Sequence, residues 1–192
     1  MMLGWAYWLL IAVALQRLVE LARAQRNTRR LIARGGREIG AEHYPLIVVL
    51  HAAWLTTLAL LTSPAPPVNW GLIAVFALLQ AMRLWVLASL GPYWTTRIIT
   101  LDGAPLQRRG PYRFLRHPNY LIVALEIPLL ALILDLPVVA LVFGAINLLL
   151  LAVRIQVENR ALAARRRAAD QEESRSSSAS ATISVAARRS DS

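Results

Sequence analysis

The residues best suited to chemistry form one ordered string that runs directly into apolar sequence: Gly110-Pro111-Tyr112-Arg113-Phe114-Leu115-Arg116-His117-Pro118-Asn119-Tyr120. Pro118 disfavours helical geometry at His117 and suits the first turn of a helix. The predicted helix start presents free backbone N–H groups and the positive end of the helix dipole, which suits a carboxylate or phosphate. An interfacial belt of arginine and tyrosine is the plain alternative for each residue alone, but it does not explain the order of the string.

A polar stripe in the last apolar segment is the second candidate. Asn147, Arg154 and Glu158 are separated by seven and four residues, which on a helix places them within about 40° of one another. An Arg–Glu ion pair at the membrane edge is the structural alternative.

The composition indicates a membrane protein. Of the 192 residues, 57% are hydrophobic and 17% are charged, and the mean hydropathy of +0.48 is too apolar for an ordinary soluble domain. The sequence has no cysteine, which excludes disulfides, thiolate metal sites and a cysteine nucleophile. We expect no metal site.

Three stretches reach the roughly 20 apolar residues that a membrane-spanning helix needs: residues 3–22, 44–61 and 70–90. A fourth apolar block is interrupted by Asp135-Leu136-Pro137, which favours a turn and a new helix. We therefore predict helices over 120–134 and 137–160, joined as a tight hairpin whose first member is short for a full crossing. The predicted fold is an all-α integral membrane bundle of five transmembrane helices.

The arginine distribution predicts the orientation. Six arginines lie between the first two predicted helices, five between the third and fourth, and eight from Arg154 onward, whereas the opposite loops contain none. The positive-inside rule then places the N-terminus outside and the C-terminus in the cytoplasm, in the inner (cytoplasmic) membrane. Because the arginines follow topology, we expect no nucleic-acid partner. Some are expected to bind anionic headgroups of membrane lipids.

Ionisable residues inside apolar helices cost about 2.5–3.5 kcal/mol each on insertion scales, so each needs a partner or a function. On this topology most gather toward the cytoplasmic helix ends, which a polar cavity opening to the cytoplasm would satisfy. Arg17 and Glu20 are interpreted as a structural pair and His51 as a packing residue, while Glu126 has two candidate partners, Arg83 and Arg17. The remaining polar residues of this kind are Gln16, Gln80, Arg154 and Glu158.

The chain is predicted to divide near residue 162. Residues 1–162 would form the membrane-embedded domain. The following Arg- and Ser-rich segment cannot bury a core, so residues 163–192 are predicted to be a disordered cytoplasmic tail.

Gly110-x-Tyr112, Arg116-His117-Pro118-x-Tyr120, an apolar hairpin and Arg154-x-x-x-Glu158 together resemble the isoprenylcysteine carboxyl methyltransferase family. The resemblance covers about residues 104–162, and the earlier helices only by number and topology. It implies a membrane methyltransferase that binds S-adenosylmethionine in a cytoplasm-facing pocket, made by this loop and the last two helices. A hydrophobic acceptor would enter from the bilayer.

Carried over by position, the resemblance makes Arg154 the catalytic residue that faces the acceptor. It assigns cofactor contacts to Leu106, Gln107, Tyr112, His117, Pro118, Asn119, Tyr120 and Glu158. Leu106 and Gln107 are placed by alignment, and only Leu106 matches the family's usual residue types. The acidic run around the family's glutamate is reduced here to Glu158.

The expected chemistry is positioning and electrostatic stabilisation, without a metal or a covalent enzyme intermediate. Helix-end N–H groups and arginines would hold the cofactor's carboxylate, and Arg154 would stabilise the acceptor oxygen as an anion. A carboxylate or acidic enol needs no base, whereas a phenol with a pKa near 10 needs one. His117 is the nearest candidate base by sequence.

Residues 93–99 and 157–162 are similar to a bacterial branch of the family associated with type III polyketide synthases. That similarity implies O-methylation of an alkylpyrone or alkylresorcinol, with a polyketide synthase as pathway partner. Two alternatives remain. His-Pro-Asn-Tyr also occurs in NADPH-dependent membrane sterol reductases, whose C-terminal signature this chain lacks. A non-catalytic lipid-binding protein or small transporter would explain the helices but not the loop motif.

Overall fold

The computed structural model describes residues 4–101 and 109–190, with side chains of the last helix described as far as Ala163. Five helices dominate it: α1 (Trp5–Ala33), α2 (Tyr44–Leu61), α3 (Trp70–Leu90), α4 (Pro118–Ile133) and α5 (Pro137–Ser190). Two short strands, β1 (Arg37–Ile39) and β2 (Ile98–Thr100), lie between them in sequence. Single 3₁₀ turns precede α2, follow α3 and occupy Gly110–Arg113.

Among the described residues, four helical segments are long and apolar enough to cross a membrane. They lie in α1, α2, α3 and the first part of α5. The fourth helix, α4, has 16 residues, or about 24 Å, which is shorter than a hydrocarbon core of about 30 Å. The protein is thus a mostly helical membrane protein with four candidate spans and one shorter apolar helix. Its orientation stays a prediction.

The bounds of α2 and α3 coincide with the predicted segments, but α1 does not end near residue 22. It continues to Ala33 and ends before Gly35, whose φ is 89°. Residues 23–33 are largely of types that favour helices, and the next glycines after Gly4 are Gly35 and Gly36. Several arginines expected in the first loop therefore lie on α1.

The last two helices form the tight hairpin that the sequence predicted. Asp135 adopts a left-handed conformation at φ 59°, and the N–H of Leu136 donates to the carbonyl of Ala131 at 2.9 Å. Further along, Gly144 of α5 faces the ring of Pro128, where a Cβ would lie 3.4 Å from the proline Cβ. The missing side chain allows close packing at the point where α4 contains its proline.

Helix α5 continues beyond the predicted domain boundary. Its backbone is helical to Ser190, including most of the segment for which the sequence predicts a disordered cytoplasmic tail. Both the boundary near residue 162 and the disorder of 163–192 stay predictions.

The apolar core lies toward the end of the bundle that contains the α4–α5 hairpin. Trp54, Leu58, Ile127 and Leu130 are among its completely buried members. The same end is closed by α1 and α2, since a Cβ on Gly4 would lie 1.8 Å from the carbonyl oxygen of Pro64. Many large apolar side chains remain exposed on the outside of the bundle, as expected for a surface that faces lipid.

A two-stranded antiparallel ribbon, absent from the all-α prediction, lies at the opposite end. Arg37 pairs with Thr100 and Ile39 with Ile98. The strands have three residues each, too short for a clear alternating pattern. The ribbon lies beside α5, where a Cβ on Gly40 would approach Val157 Cγ1 to 2.8 Å.

Candidate active site

A cavity of about 470 Å³ opens between the ribbon and the helices. Its walls come from α1, α2, α3, α5, the 93–100 segment and the start of α4. This volume is in the range typical of small-molecule sites. The cavity is polar near the ribbon and mostly apolar along α2 and α5.

The predicted α5 stripe faces this cavity, since Asn147, Arg154 and Glu158 all line it. Arg154 and Glu158 are not joined by the direct ion pair that was the structural alternative. Instead, the Tyr120 hydroxyl from α4 donates to Glu158 Oε2 and accepts from Arg154 Nε at 2.9 Å. The motif at the start of α4 and the stripe on α5 therefore form one hydrogen-bonded unit.

Arg154 is held from a second side by a backbone group. Its Nη2 donates to the carbonyl oxygen of Thr96, and its guanidinium carbon lies 5.7 Å from the centre of the Tyr120 ring. A guanidinium has five N–H donors, and the protein contacts within the described residues use two of them. The others remain available at the cavity wall.

His117 supports the same unit. Its ring stacks on Tyr120 with centroids 5.5 Å apart and an interplanar angle of 23°. Its Nε2 lies 3.1 Å from Asn159 Oδ1, and its Nδ1 lies 3.9 Å from Glu158 Oε1. Both ring nitrogens therefore face α5, and the ring fixes the orientation of Tyr120.

Asn119 Oδ1 and Trp94 Nε1 are buried polar atoms that have no hydrogen-bond partner in the described residues. Both residues line the cavity. Buried polar atoms are nearly always hydrogen-bonded, so an unpaired acceptor and an unpaired donor beside a cavity mark places for a ligand. Pro118 is buried at the first turn of α4 and is not among the residues that line the cavity; its predicted contact with the cofactor stays a prediction.

Tyr112 lines the cavity from the turn Gly110–Arg113. Burial, followed by the negative charge of Glu158, raises the pKa of Tyr112 above its usual range. The phenol is therefore a neutral hydrogen-bonding group at physiological pH. The other two predicted cofactor contacts, Leu106 and Gln107, lie outside the described residues.

A buried cluster of two arginines and two glutamates closes the side of the cavity formed by α1, α3 and α4. Arg83 donates to both oxygens of Glu20, at 2.7 and 2.5 Å, and to Glu126 Oε2 at 3.0 Å. Arg17 pairs with Glu20 at 3.1 Å and also with Glu126. Glu126 therefore pairs with both of its candidate partners, Arg83 and Arg17. The cluster has no net charge, and only Arg17 Nε in it is buried without a partner.

Two glutamines complete this cluster. Gln16 Nε2 donates to Gln80 Oε1 at 2.8 Å, and Gln80 Nε2 donates to Glu126 Oε1 at 2.7 Å. Removing charges from water is costly unless they are paired and hydrogen-bonded. The pairing accounts for most of the ionisable residues that the sequence placed inside apolar helices.

The ribbon connects to the site through residues that the sequence analysis did not select. Arg97 pairs with Glu38 at 2.8 Å, and its guanidinium lies 4.6 Å from the ring centre of Tyr44. The Tyr44 hydroxyl lies 3.1 Å from Thr96 Oγ1, next to the carbonyl that binds Arg154. The hydrogen bond with Glu38 raises the pKa of Arg97 above its usual value. A backbone carbonyl leaves no mark in a sequence, so this side of the site could not be found there.

The donor and acceptor groups fit S-adenosylmethionine. Glu158 and Asn119 Oδ1 can accept from ribose hydroxyls or the amino group, and Trp94 Nε1 can donate. At the start of α4, Pro118 has no N–H, and the backbone N–H of Tyr120 donates to the backbone carbonyl oxygen of His117 at 3.1 Å. The N–H of Asn119 is the first helical N–H and is available to a carboxylate.

Comparison with known protein families gives one match. Residues 72–164 match the model of the isoprenylcysteine carboxyl methyltransferase family. The match extends the region of resemblance backward into α3, so it covers the Arg83 side of the cavity as well as the loop motif and α5.

Two relatives match over most of their length. The uncharacterized protein YpbQ of Bacillus subtilis is 40% identical over 161 residues, which cover 81% of this chain and 96% of the relative. An uncharacterized protein of Haemophilus influenzae is 30% identical over 154 residues, covering 76% of this chain and 88% of the relative. No solved structure matches the chain. Because the family model matches most of α3, all of α4 and the cavity-lining part of α5, and a relative is this similar over nearly its whole length, the chain belongs to the isoprenylcysteine carboxyl methyltransferase family.

Proposed function

We propose that this protein transfers a methyl group from S-adenosylmethionine to an oxygen atom of a hydrophobic acceptor that enters from the bilayer. Family membership indicates a membrane methyltransferase that uses this cofactor. An alkylpyrone, or a compound of the isoprenylcysteine type, has the required acidic oxygen and apolar chain. A polyketide synthase is the proposed pathway partner for the first of these.

The observation that carries the proposal is the unit formed by Arg154, Tyr120 and Glu158. It combines a cation with free N–H donors and a carboxylate, one turn apart on α5, with a neutral hydroxyl from α4 between them. On one side lie the loop and the start of α4, and on the other lies the apolar part of the cavity. A polar donor and a lipid-like acceptor can therefore meet at this unit.

The start of α4 is the proposed cofactor side. When bound, S-adenosylmethionine supplies an electrophilic methyl group on a sulfonium. Glu158 accepts hydrogen bonds from the ribose or amino group, and Asn119 offers a free backbone N–H to the carboxylate. His117 stacks on Tyr120 and so keeps its hydroxyl between Glu158 and Arg154. The closed contacts among these side chains leave little freedom for misalignment.

Arg154 is the proposed electrostatic group on the acceptor side. Two contacts, to the Tyr120 hydroxyl and the Thr96 carbonyl, fix its guanidinium. The N–H groups that remain point to a place where the acceptor oxygen is stabilised as an anion. A fixed donor of this kind typically contributes about 10²–10³ in rate.

Apolar side chains of α1 and α2 provide the proposed route for the acceptor chain. Leu18 and Val48 line the cavity and are also exposed on the outer surface of the bundle. The cavity is therefore continuous with the surface that faces lipid. An acyl or prenyl chain can lie there while its oxygen approaches Arg154.

The proposed orientation places the α4 start and the arginine-rich segments at the cytoplasmic face of the inner membrane. The arginine distribution supports it through the positive-inside rule. A cytoplasmic mouth gives direct access to a soluble, charged cofactor.

The decisive experiment is incubation of membranes containing the protein with methyl-labelled S-adenosylmethionine and extracted lipids, followed by identification of the labelled product. We expect label in a lipid-soluble methyl ester or enol ether, and none with Arg154→Ala membranes. Equilibrium binding of S-adenosylmethionine and NADPH to the purified protein is the companion measurement. Binding of NADPH alone would indicate a reductase, and binding of neither would indicate a non-catalytic lipid-binding protein.

A further inference from the structure

The depth of His51 and Asn147 in the bundle follows from contacts near the mouth of the cavity. Gly40, just before α2, contacts Val157 of α5. Tyr44 at the start of α2 reaches Arg154 through Thr96. From these contacts α2 runs into the bundle, whereas α5 runs out of the bundle toward them. His51 is seven residues after Tyr44 and Asn147 is seven residues before Arg154, so the two lie at a similar depth. His51 and Asn147 therefore lie about 10 Å further into the cavity than Arg154.

His51 presents a free nitrogen at this depth. Its Nδ1 lies 2.8 Å from the carbonyl oxygen of Ile47. A carbonyl only accepts hydrogen bonds, so Nδ1 carries the proton and the neutral ring has its lone pair on Nε2. Nε2 has no partner among the described residues, and the residue lines the cavity. The packing role expected for His51 accounts for Nδ1 but leaves Nε2 unused.

Asn147 presents a free oxygen at a similar depth. The side chain is almost completely buried, at 2% exposure, and its Nδ2 donates to the Val123 carbonyl at 3.3 Å. Its Oδ1 has no partner in the part of the chain that the structure describes. Oδ1 is not among the atoms that are completely buried without a partner, so it retains surface that is open to the cavity lined by Asn147.

The two free atoms have the same chemistry. Both are hydrogen-bond acceptors, so both require a ligand group that donates. Between them and Arg154 the cavity wall is apolar, formed by residues such as Ile47, Leu150 and Leu151. A ligand that matches the whole cavity has an acidic oxygen, an apolar middle section and then an O–H group.

We infer that His51 and Asn147 form a second recognition point, selecting acceptors that carry a hydroxyl group about 10 Å from the oxygen that is methylated. This inference rests on the proposed function for the position of the reacting oxygen at Arg154. His51 and Asn147 determine specificity and take no part in the methyl transfer.

The test uses three probes with the same carboxylate head and a chain length that matches this spacing. They are 4-(3-hydroxypropyl)benzoate, its methyl ether and 4-propylbenzoate, and their affinities are measured by calorimetry on the purified protein without S-adenosylmethionine. We expect the hydroxyl compound to bind about two- to tenfold more tightly than the other two, because its single O–H donates one hydrogen bond of about 0.5–1.5 kcal/mol to His51 Nε2 or Asn147 Oδ1. The methyl ether has the oxygen but no proton to donate. Equal affinities of the hydroxyl compound and its ether would overturn the inference.

Variants give an independent check. His51→Phe with Asn147→Leu should remove the preference for the hydroxyl compound, while the control Val49→Leu, at an exposed position of α2 that does not line the cavity, should keep it. A preference that survives the double substitution would contradict the assignment to these residues. If the double variant does not fold, the comparison of hydroxyl and ether on the unaltered protein still decides.

Failure of the proposed function would have a different signature. Labelled S-adenosylmethionine would then give no methylated probe, while the hydroxyl preference and its dependence on His51 and Asn147 would persist. Methylation of all three probes without any hydroxyl preference would support the proposed function and overturn the inference about His51 and Asn147.

Discussion

Arg154 and Glu158 lie one turn apart on α5 and are joined through the hydroxyl of Tyr120 rather than by a direct ion pair. A direct pair would satisfy both charges and leave neither for a ligand. With Tyr120 between them, the carboxylate and the guanidinium keep open sides toward the cavity. The separation allows one turn of helix to serve two molecules of opposite character.

Arg154→Ala should abolish turnover and leave cofactor binding nearly intact, since the guanidinium faces the acceptor. The expected loss in rate is about 10²–10³ or more. Turnover is measured with labelled cofactor and affinity by calorimetry. Arg154→Lys is the matched control: it keeps the charge but lacks the planar fork of N–H groups that spans Tyr120, Thr96 and the acceptor, so it should recover only part of the rate. Wild-type activity in Arg154→Ala would refute the assignment.

Glu158→Gln should weaken the binding of S-adenosylmethionine. A hydrogen bond to a charged group contributes about 1.5–3 kcal/mol, so the dissociation constant should rise about 10- to 100-fold. Glu42→Gln is the control, because Glu42 carries the same group on an exposed turn away from the cavity. An unchanged affinity in Glu158→Gln would show that this carboxylate does not contact the cofactor.

Glu126→Gln should destabilise the fold, because it leaves Arg17 and Arg83 with one carboxylate between them. Breaking a buried pair costs about 3–5 kcal/mol. Combining it with Arg83→Met restores neutrality, so the double variant should lose less than the sum of the two single variants. Unfolding in mixed detergent micelles measures all three. Glu38→Gln, in a more exposed pair with Arg97, should cost at most about 1 kcal/mol, and additive losses in the cluster would contradict the coupling.

Tyr112 should not ionise with ordinary tyrosines, because burial and the charge of Glu158 raise its pKa. The neutral form is favoured in the folded state. Its stabilising contribution is therefore complete below the unfolded pKa near 10 and is lost as the pH rises through the folded value. Tyrosinate absorbance between pH 9 and 11 should match in wild type and Tyr112→Phe while both are folded. In denaturant, the variant should show the signal of one tyrosine fewer; the same difference in the folded state would contradict the prediction.

The orientation can be tested with single cysteines, since the chain has none of its own. Ser63→Cys lies in the loop between α2 and α3, and Phe114→Cys lies on the exposed loop before α4. In right-side-out vesicles, a membrane-impermeant maleimide should label only the first, and in inverted vesicles only the second. The opposite pattern would place the mouth of the cavity outside.

Much of the fold was predictable because apolar length and turn residues determine it. The bounds of α2 and α3 and the turn at Asp135 follow directly from composition and chain geometry. The end of α1 was placed too early, since hydropathy marks where the lipid ends and not where the helix ends. The ribbon was missed because three-residue strands carry too little pattern.

The site, like the fold, had a part that the sequence predicted and a part that it could not predict. The ordered motif and the helical spacing of Arg154 and Glu158 predicted that these residues face one cavity. The bridging position of Tyr120 was not predictable, because it depends on how α4 and α5 are aligned along their length. The free atoms of His51 and Asn147 were equally hidden, since only a hydrogen-bond inventory distinguishes a used nitrogen from an unused one.

The buried charged cluster has a consequence for how the chain enters the membrane during synthesis. The first helix brings Arg17 and Glu20 together as a pair of opposite charges, whereas α3 brings a lone Arg83 and α4 a lone Glu126. Each lone charge is costly in lipid until its counterpart arrives. The third helix therefore has reason to stay near the insertion machinery until the closing hairpin emerges, so that α3 and α4 leave it as a pair.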